Sequence, residues 1–169
     1  MGKAMKTEKG RRAIGAVKIT VIVICLATVI ISATFFAVKS ILKAEFPMKY
    51  RDKISLYAET YGVPEDLLYG VIHTESGYDE KAKSHAGAIG LTQITPETFF
   101  WLQTKTGETL PEEALYDADT SVKYCAVFYG LLLKEFGGDE KTAIAAYHAG
   151  RGQVNAWLRD PDISPDGKT

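Results

Sequence analysis

Glu75 is the residue whose position in this 169-residue sequence suggests proton-transfer chemistry. The apolar residues Val71 and Ile72 precede it by four and three positions, so a helix places all three on one stripe. Glu75 also falls in the predicted last turn, where the helix dipole disfavours a negative charge. Burial and the dipole both raise the pKa of a carboxyl group, and an acid that stays protonated near neutral pH can protonate a glycosidic oxygen. The alternative is a glutamate that bends out to solvent or pairs with a cation. Position alone does not decide between this and a catalytic acid.

Three short motifs follow one another along the sequence. They are E-S-G-Y at 75–78 with a serine at 84, G-A-I-G-L-T-Q-I-T-P-E-T at 87–98, and A-A-Y-H-A-G at 145–150. Together they resemble the catalytic domain of the soluble-lytic-transglycosylase (SLT) type, which is lysozyme-like and related in fold to goose-type lysozyme. The family pattern is E-S, a following Ser, G-L-M-Q-I-M-P and A-Y-N-A-G. The resemblance covers about residues 50–160, and three motifs in order make a specific signal.

The resemblance implies roles for five residues. Glu75 is implied as the single catalytic acid/base. Ser84 and Gln93 are implied to line the groove and to hydrogen-bond sugar near the scissile bond. Tyr147 is implied to approach Glu75, within hydrogen-bond reach or one water, and His148 to bind substrate in place of the family's Asn. Taken without the resemblance, Ser84 suits a loop cap, Gln93 a turn and Tyr147 a core aromatic position.

The implied reaction is cleavage of peptidoglycan glycan strands at the β-1,4 bond between N-acetylmuramic acid (MurNAc) and N-acetylglucosamine (GlcNAc). Glu75 protonates this bond, the substrate's own N-acetyl oxygen stabilises the cation, and Glu75 then takes the proton of the muramyl 6-hydroxyl. The product is a 1,6-anhydro-muramyl end. Hydrolytic glycosidases place a second carboxylate about 5–5.5 Å or about 6.5–9.5 Å from the acid. The family pattern holds no second acid beside its glutamate; the possible partners, which also suit polar turns, are Asp79, Glu80, Asp117 and Asp119.

Two other functions remain open. A goose-type muramidase would hydrolyse the same bond with water, and its product would be heavier by one water molecule. A non-catalytic, membrane-anchored peptidoglycan-binding module is the other alternative. The presence of both Glu75 and Gln93 argues against that module, because binding alone does not require a buried acid.

Metal ions, cofactors and nucleic acid are not predicted as partners. His73 and Glu75 are two positions apart and cannot face one ligand from a helix, and His85 and His148 show no ligand spacing. No cofactor motif is present. The net charge of −1 gives no sign of nucleic-acid binding.

Three positions depart from the family pattern. Thr92 and Thr95 stand where Met is common, which predicts a more polar sugar-facing wall. His148 can titrate, which predicts pH-sensitive binding. The family usually continues into a further helix that closes the groove, whereas this sequence ends at Thr169. The expectation is therefore either a short member of the family or a fragment.

The N-terminal part predicts a membrane anchor. The run 19–38 contains no charged residue, and a helix needs about 20 apolar residues to cross a bilayer. A cleaved signal peptide is the alternative, but its apolar region would usually span about 7–15 residues. Basic residues crowd 1–18, so the positive-inside bias predicts a cytoplasmic N-terminus and an extracytoplasmic domain after Lys39 on a single-pass protein.

The rest of the sequence predicts a mainly α, α+β lysozyme-like domain over 50–160, after a linker at 39–49 and before a polar tail at 161–169. Apolar spacing with Gly and Pro punctuation predicts helices at 51–61, from Pro64 to Gly77, from Thr95, at about 121–136, from Asp139 to 149, and at 154–158. The stretch 84–93 predicts a turn or a small β-hairpin. Cys125 is the domain's lone thiol and is expected in the core. We expect a monomer.

Overall fold

A computed structural model describes the backbone at residues 2–45 and 48–168, with side chains at 18, 22–42 and 48–168. The chain divides into two compact units, Met1–Pro47 and Met48–Thr169. Parts of the predicted segments lie outside the described residues. These are positions 46–47 of the linker, Thr169 of the tail and the basic side chains before Lys18.

The first unit is a single helix, α1 (Gly2–Glu45). Its segment Ile22–Leu42 is long and apolar enough to cross a membrane, and its side chains are exposed. Thr28 and Thr34 donate their hydroxyl groups to carbonyl oxygens in the preceding turn of the same helix, each over 2.8 Å. Such bonds satisfy the hydroxyl protons inside the helix. α1 also includes part of the predicted linker, because it continues to Glu45.

The second unit begins with α2 (Arg51–Tyr61) and α3 (Glu65–Ser76), at the positions that the sequence predicts. Both helices end at a glycine in the left-handed region, Gly62 with φ 65° and Gly77 with φ 59°. Glycine tolerates this conformation because it has no Cβ. α3 follows Pro64 directly, and acidic residues in its first turn complement the positive end of the helix dipole.

The chain between α3 and the next helix forms turns, in the region predicted as a turn or hairpin. Ile89 makes isolated antiparallel bridges with Lys83 on one side and Ile94 on the other. No longer strand forms in the described part of the chain. We call residues 77–95 the 77–95 loop.

Helix α4 (Pro96–Thr106), a 3-10 helix (Glu112–Tyr116) and α5 (Ala118–Glu135) follow. Thr95 caps α4 as predicted, since its hydroxyl oxygen accepts the N–H of the third residue beyond it over 3.3 Å. The 3-10 helix was not predicted. α5 begins three residues before its predicted start because Asp117 supplies the cap, accepting an N–H over 2.9 Å.

The last two helices are α6 (Glu140–Ala149) and α7 (Arg151–Arg159). Asp139 caps α6 as predicted. The predicted start of α7 at residue 154 is wrong, because Gly152 does not break the helix. Only Gly150, with φ 87°, leaves the helical conformation, so α7 starts directly after it.

The tail after α7 folds back on itself. The main-chain N–H of Ser164 donates to the carbonyl of Asp160 over 2.8 Å, and Ser164 is buried. The first part of the tail therefore forms a turn whose last residue is buried.

Helix α5 forms the centre of the core and packs against α2, α3, α4, α6 and the 3-10 helix. Cys125 on α5 is fully buried, as predicted, and burial raises the pKa of its thiol to about 12. Gly130 allows α2 to approach closely, because a Cβ there would lie 2.9 Å from the carbonyl oxygen of Tyr61. Helices α3 and α6 thus both pack against α5.

Candidate active site

Glu75 lies in the last turn of α3, as the apolar spacing predicts. One turn earlier Val71 and Ile72 are buried, whereas the Glu75 side chain keeps 18% exposure. Gly77 ends the helix, and Tyr78 also adopts a left-handed backbone with φ 68°. The chain therefore turns away directly after Glu75 and leaves its carboxylate at the edge of the core.

Partial burial shifts the pKa of Glu75. Burial raises the pKa of the Glu75 carboxyl, and a positive charge on His148 opposes that increase. The dipole of α3 acts in the same direction as burial, because it disfavours negative charge at the helix C-terminus. A carboxyl group with a raised pKa keeps its proton to higher pH, which is the state that general acid catalysis needs.

His148 is the side chain that contacts Glu75. Its Nδ1 lies 3.0 Å from Oε1 of Glu75, a distance typical of hydrogen-bonded and ion-paired atoms. His148 belongs to the last turn of α6, and its side chain is 46% exposed. The sequence predicted a substrate contact for His148 and did not predict that it contacts Glu75.

A cavity of about 320 Å³ lies beside His148. Its walls come from α3, α5 and α6, with Val71, Thr74, Tyr129 and Ile144 among the residues that form them. Ligand pockets usually measure about 300–1,000 Å³ and combine apolar walls with a few polar groups. This cavity therefore has the size and lining of a binding site for a small group, and His148, which contacts Glu75, is one of its lining residues.

The sequence predicts that the Tyr147 hydroxyl lies within hydrogen-bond reach, or one water, of Glu75, and the structure gives this hydroxyl another acceptor. The hydroxyl donates to the main-chain carbonyl oxygen of Thr92 over 2.7 Å. A hydroxyl group has one proton, so this donation excludes a simultaneous donation to the carboxylate. The Tyr147 ring stacks on Tyr129, with ring centres 4.6 Å apart and planes 8° apart. Tyr147 thus joins α6 to the 77–95 loop.

Ser76 joins the end of α3 to the same loop. Its hydroxyl lies 2.8 Å from the carbonyl oxygen of Leu91 and 3.2 Å from that of Ile72. The shorter contact is the one to the loop, so Ser76 holds the loop beside its neighbour Glu75. The sequence contained the signal for this role in the E-S pair, but no role was predicted for the serine.

Gln93 has a left-handed backbone, with φ 50°, which is uncommon for a residue with a side chain. Its Nε2 donates to the carbonyl oxygens of Gly90 over 2.9 Å and Ala82 over 3.3 Å. These bonds use the amide N–H groups to brace the loop, and they leave Oε1 as an acceptor for a ligand. Strained backbone of this kind is frequent at functional sites.

Ser84 closes a turn within the 77–95 loop. Its Oγ accepts the N–H of Ala88 over 3.0 Å, and its own N–H donates to the carbonyl of Ala88 over 3.0 Å. This is the loop-cap role that the residue type alone suggested. Neither bond uses the hydroxyl proton, so Ser84 can still donate it to a sugar oxygen.

The predicted polar sugar-facing wall is wrong at Thr92, whereas at Thr95 it stays a prediction. Thr92 is fully buried, and its Oγ1 lies 3.0 Å from the hydroxyl oxygen of Ser121. Thr95 is the cap of α4, with its hydroxyl directed at Thr98 over 3.0 Å. The Thr92 hydroxyl has a partner inside the domain because burial of an unpaired hydroxyl is costly.

The chain belongs to the family described as Transglycosylase SLT domain, whose sequence model matches residues 52–167. This confirms the family that the three motifs indicated. The match covers nearly the whole second unit.

Named relatives are similar to the same part of the chain. The "Soluble lytic murein transglycosylase" of Escherichia coli (strain K12) is 30% identical over 120 residues, covering 69% of this chain and 18% of that protein. The "Membrane-bound lytic murein transglycosylase C" of Haemophilus influenzae (strain PittEE) is 32% identical over 128 residues, covering 69% of this chain and 36% of that protein. The chain therefore spans only a minor part of the length of these relatives.

Solved structures agree with the fold. The 70 kDa soluble lytic transglycosylase of Escherichia coli superposes with a TM-score of 0.69 at 27% identity, covering 75% of this chain and 20% of that one. An inactive glutamate-to-glutamine mutant of the lytic transglycosylase Slt from Pseudomonas aeruginosa superposes with a TM-score of 0.67 at 30% identity, covering 70% of this chain and 20% of that one. The predicted mainly α, lysozyme-like fold is confirmed.

Proposed function

We propose that the second unit of the chain cleaves peptidoglycan glycan strands at the MurNAc–GlcNAc β-1,4 bond, with Glu75 as acid and then base. The observation that carries the proposal is the half-buried carboxyl group of Glu75, with its raised pKa, at the end of α3. Membership of the SLT family supports it. The relatives named as murein transglycosylases, and the inactive glutamate mutant of one of them, support it further.

In the first step, protonated Glu75 gives its proton to the glycosidic oxygen. The bond between C1 of MurNAc and that oxygen breaks, and its electron pair goes to the oxygen of the departing GlcNAc. The positive charge that develops at C1 is stabilised by the N-acetyl oxygen of the same sugar. The raised pKa of Glu75 favours this step because the carboxyl keeps its proton to higher pH than an exposed glutamate does.

In the second step, the Glu75 carboxylate takes the proton of the muramyl 6-hydroxyl. The oxygen of that 6-hydroxyl then bonds to C1 of the same sugar. The product is a 1,6-anhydro ring, and Glu75 is again protonated without the use of water. One carboxyl group therefore suffices for a complete cycle.

The other acids named as possible catalytic partners have local structural roles. Asp79 and Asp117 accept main-chain N–H groups over 2.9 Å each. Glu80 accepts a tyrosine hydroxyl over 2.8 Å, and Asp119 is bound by a lysine over 2.9 Å and a tyrosine over 2.8 Å. These contacts favour the single-carboxylate route over a two-carboxylate hydrolase.

The groove would bind sugar through polar atoms that are not used in hydrogen bonds within the domain. We assign Oε1 of Gln93 as an acceptor, the hydroxyl of Ser84 as a donor, and His148 with the cavity beside it as a further contact. Tyr147 would act by holding the 77–95 loop in register with α6. All of these residues come from one chain, so a single copy would suffice.

The Ile22–Leu42 segment of α1 would anchor the enzyme in the cell membrane, with the N-terminus in the cytoplasm and the second unit outside. The basic residues before the segment support this orientation. An anchored enzyme would act on the peptidoglycan that lies near the membrane surface.

Glu75→Gln in the full chain, in detergent micelles with purified glycan strands, tests the proposal. The amide cannot transfer a proton, so we expect strand cleavage to fall by at least about 10²-fold. Glu113→Gln, at an exposed position of the 3-10 helix, is the matched control and should cleave normally. Mass spectrometry of the wild-type products should find anhydro ends; products heavier by one water would instead identify a muramidase. Retained cleavage in Glu75→Gln would exclude Glu75 as the acid/base.

A further inference from the structure

The cavity beside His148 lies along two helices, α3 and α6. At one end Glu75 of α3 contacts His148 of α6. Asp66 and Glu140, in the first turns of the same two helices, also belong to the lining. Asp66 precedes Glu75 by nine residues and Glu140 precedes His148 by eight, which corresponds to about 12–14 Å along a helix axis. The two carboxylates therefore lie at the end of the cavity that is remote from the candidate acid.

Both carboxylates are available to a ligand. Asp66 accepts the main-chain N–H of Leu67 over 3.1 Å, and both acidic residues are exposed. In the part of the chain that the structure describes, neither forms an ion pair with a lysine or arginine. The described residues that line the cavity include no lysine or arginine either. Two negative charges without a cationic partner favour a positively charged ligand.

A buried phenol at the floor of the cavity indicates a ligand independently. Acids in a first turn also stabilise their helices, so Asp66 and Glu140 alone would not suffice. Tyr129 of α5 is fully buried, belongs to the lining, and has no hydrogen-bond partner for its hydroxyl among the described residues. Burial raises the pKa of this phenol, so it keeps the proton that it could donate. Because an unpaired buried hydroxyl is costly, an oxygen atom of a ligand would be a favourable acceptor there.

The walls between these polar groups are apolar. Leu67 and Val71 of α3 face the cavity from one side and Ile144 of α6 from the other. Gly70 has no side chain, and a Cβ there would meet nothing within 4 Å, so the middle of the cavity is open. Apolar walls with a few polar groups are typical of sites that bind a carbon skeleton. The ligand that fits has a cationic group, carbon atoms and an oxygen acceptor.

We propose that this cavity binds a protonated primary amine carried by the peptidoglycan substrate. The ammonium group lies between Asp66 and Glu140, and an oxygen atom of the same ligand accepts the Tyr129 hydroxyl. The proposal rests on the proposed function, because it adds a substrate contact to glycan cleavage at Glu75. Peptidoglycan offers two sources of such an amine, the diamino acids of its peptide stems and glucosamine units that have lost their acetyl group.

Cleavage of two preparations of the same glycan strands by the full chain tests the proposal. One preparation keeps its free amines, and in the other acetic anhydride has converted them to uncharged amides. We expect kcat/KM of the wild type to be at least about threefold higher on the strands with free amines, with the difference in KM, because exposed ion pairs contribute modestly. Asp66→Asn combined with Glu140→Gln should reduce this ratio to about one. Glu113→Gln, at an exposed position outside the cavity lining, is the control and should keep the wild-type ratio.

Removal of the peptide stems with an amidase distinguishes the two sources of the amine. A preference that disappears with the stems assigns the ammonium group to their diamino acids. A preference that persists assigns it to glucosamine. Either result supports the site if the preference depends on Asp66 and Glu140. A wild-type ratio of about one on intact strands, or a preference that survives in the double variant, would overturn the proposal.

Binding without cleavage separates this proposal from the proposed function. Full-length Glu75→Gln in detergent micelles should bind strands with free amines at least about threefold more tightly than acetylated strands, as measured by calorimetry. Salt should reduce the difference, because exposed charges are screened. Tyr129→Phe, added to this variant, should weaken binding of both preparations alike, since it removes a hydroxyl and no charge.

The two proposals fail in different ways. If the wild type cleaves no glycan, the proposed function fails, and the affinities of Glu75→Gln still decide whether the ammonium site exists. Equal affinities for the two preparations would exclude that site even in an active enzyme. Affinities that Tyr129→Phe leaves unchanged would exclude the hydroxyl contact.

Discussion

Tyr129 and Tyr147 are stacked rings whose hydroxyl groups have different surroundings. The Tyr147 hydroxyl donates to the carbonyl of Thr92 over 2.7 Å, whereas the Tyr129 hydroxyl is buried with no hydrogen-bond partner among the described residues. A buried polar group that loses its partner costs about 1–3 kcal/mol, whereas removing an already unpaired one costs little. Replacement by Phe should therefore lower the stability at Tyr147 and change it little at Tyr129.

We expect Tyr147→Phe to lower the free energy of unfolding by about 1–3 kcal/mol, because it leaves the Thr92 carbonyl without this donor. Cleavage should fall by about tenfold, or about 1.4 kcal/mol of barrier, because the loop that carries Gln93 loses its connection to α6. Tyr129→Phe is the matched control, and its stability should be unchanged or slightly higher. Urea unfolding followed by tryptophan fluorescence, together with cleavage rates, measures both effects. A Tyr147→Phe variant as stable as Tyr129→Phe would show that the Thr92 bond contributes nothing.

Among the elements, the 77–95 loop is held by side chains from two helices. Ser76 holds it at Leu91, and Tyr147 holds it at Thr92. The loop also touches the 3-10 helix at Gly90, where a Cβ would lie 2.1 Å from the carbonyl oxygen of Leu115. Hydrogen bonds to α3 and α6 and a backbone contact with the 3-10 helix thus place the loop beside Glu75.

Gly90→Ala should be strongly destabilising because the new methyl group collides with main chain that cannot rotate away. Gly90 has φ 74° and Gly87 has φ 83°, but a Cβ at Gly87 meets nothing within 4 Å. Gly87→Ala should therefore cost only the left-handed strain of about 1–2 kcal/mol, and Gly90→Ala about 2 kcal/mol more. Denaturant midpoints of the two variants measure the difference. Equal midpoints would mean that the loop and the 3-10 helix separate without cost.

At the scale of the whole molecule, the two units differ in the exposure of their apolar side chains. In the second unit they are buried in one core around α5, whereas α1 exposes large residues such as Phe35 at 62% and Phe36 at 68%. Exposed apolar surface is unfavourable in water by about 25 cal/mol per Å². The exposed side chains of α1 therefore favour an apolar environment such as a bilayer.

Protease added to cells whose outer layers have been made permeable should digest the second unit and leave the N-terminus protected. An epitope tag at the C-terminus should disappear, and a tag at the N-terminus should persist on a short fragment. Both tags should disappear when detergent opens the membrane, which controls for intrinsic resistance. A released protein that lacks the apolar run would indicate a cleaved signal peptide, and a protected C-terminal tag would reverse the orientation.

The helical elements were largely predictable because their signals are local. Gly62 and Gly77 end helices where the sequence places them, and Thr95 and Asp139 begin helices with capping side chains. The 3-10 helix was missed because its five residues are too few to show a period. The start of α7 was missed because Gly150 alone supplies the break, and Gly152 is tolerated in the first turn of the helix that follows.

The sequence by itself determined the family, the helices and the placement of Glu75 on a buried stripe, because these depend on spacing along the chain. Only the tertiary structure decided which side chain contacts its carboxylate. Tyr147 and His148 are neighbours on α6, and a rotation of about 100° per residue sends their side chains in different directions. Packing of α6 on α5 directs the Tyr147 hydroxyl to Thr92 and His148 to Glu75. That choice depends on how helices distant in sequence pack together, and spacing within one helix does not contain it.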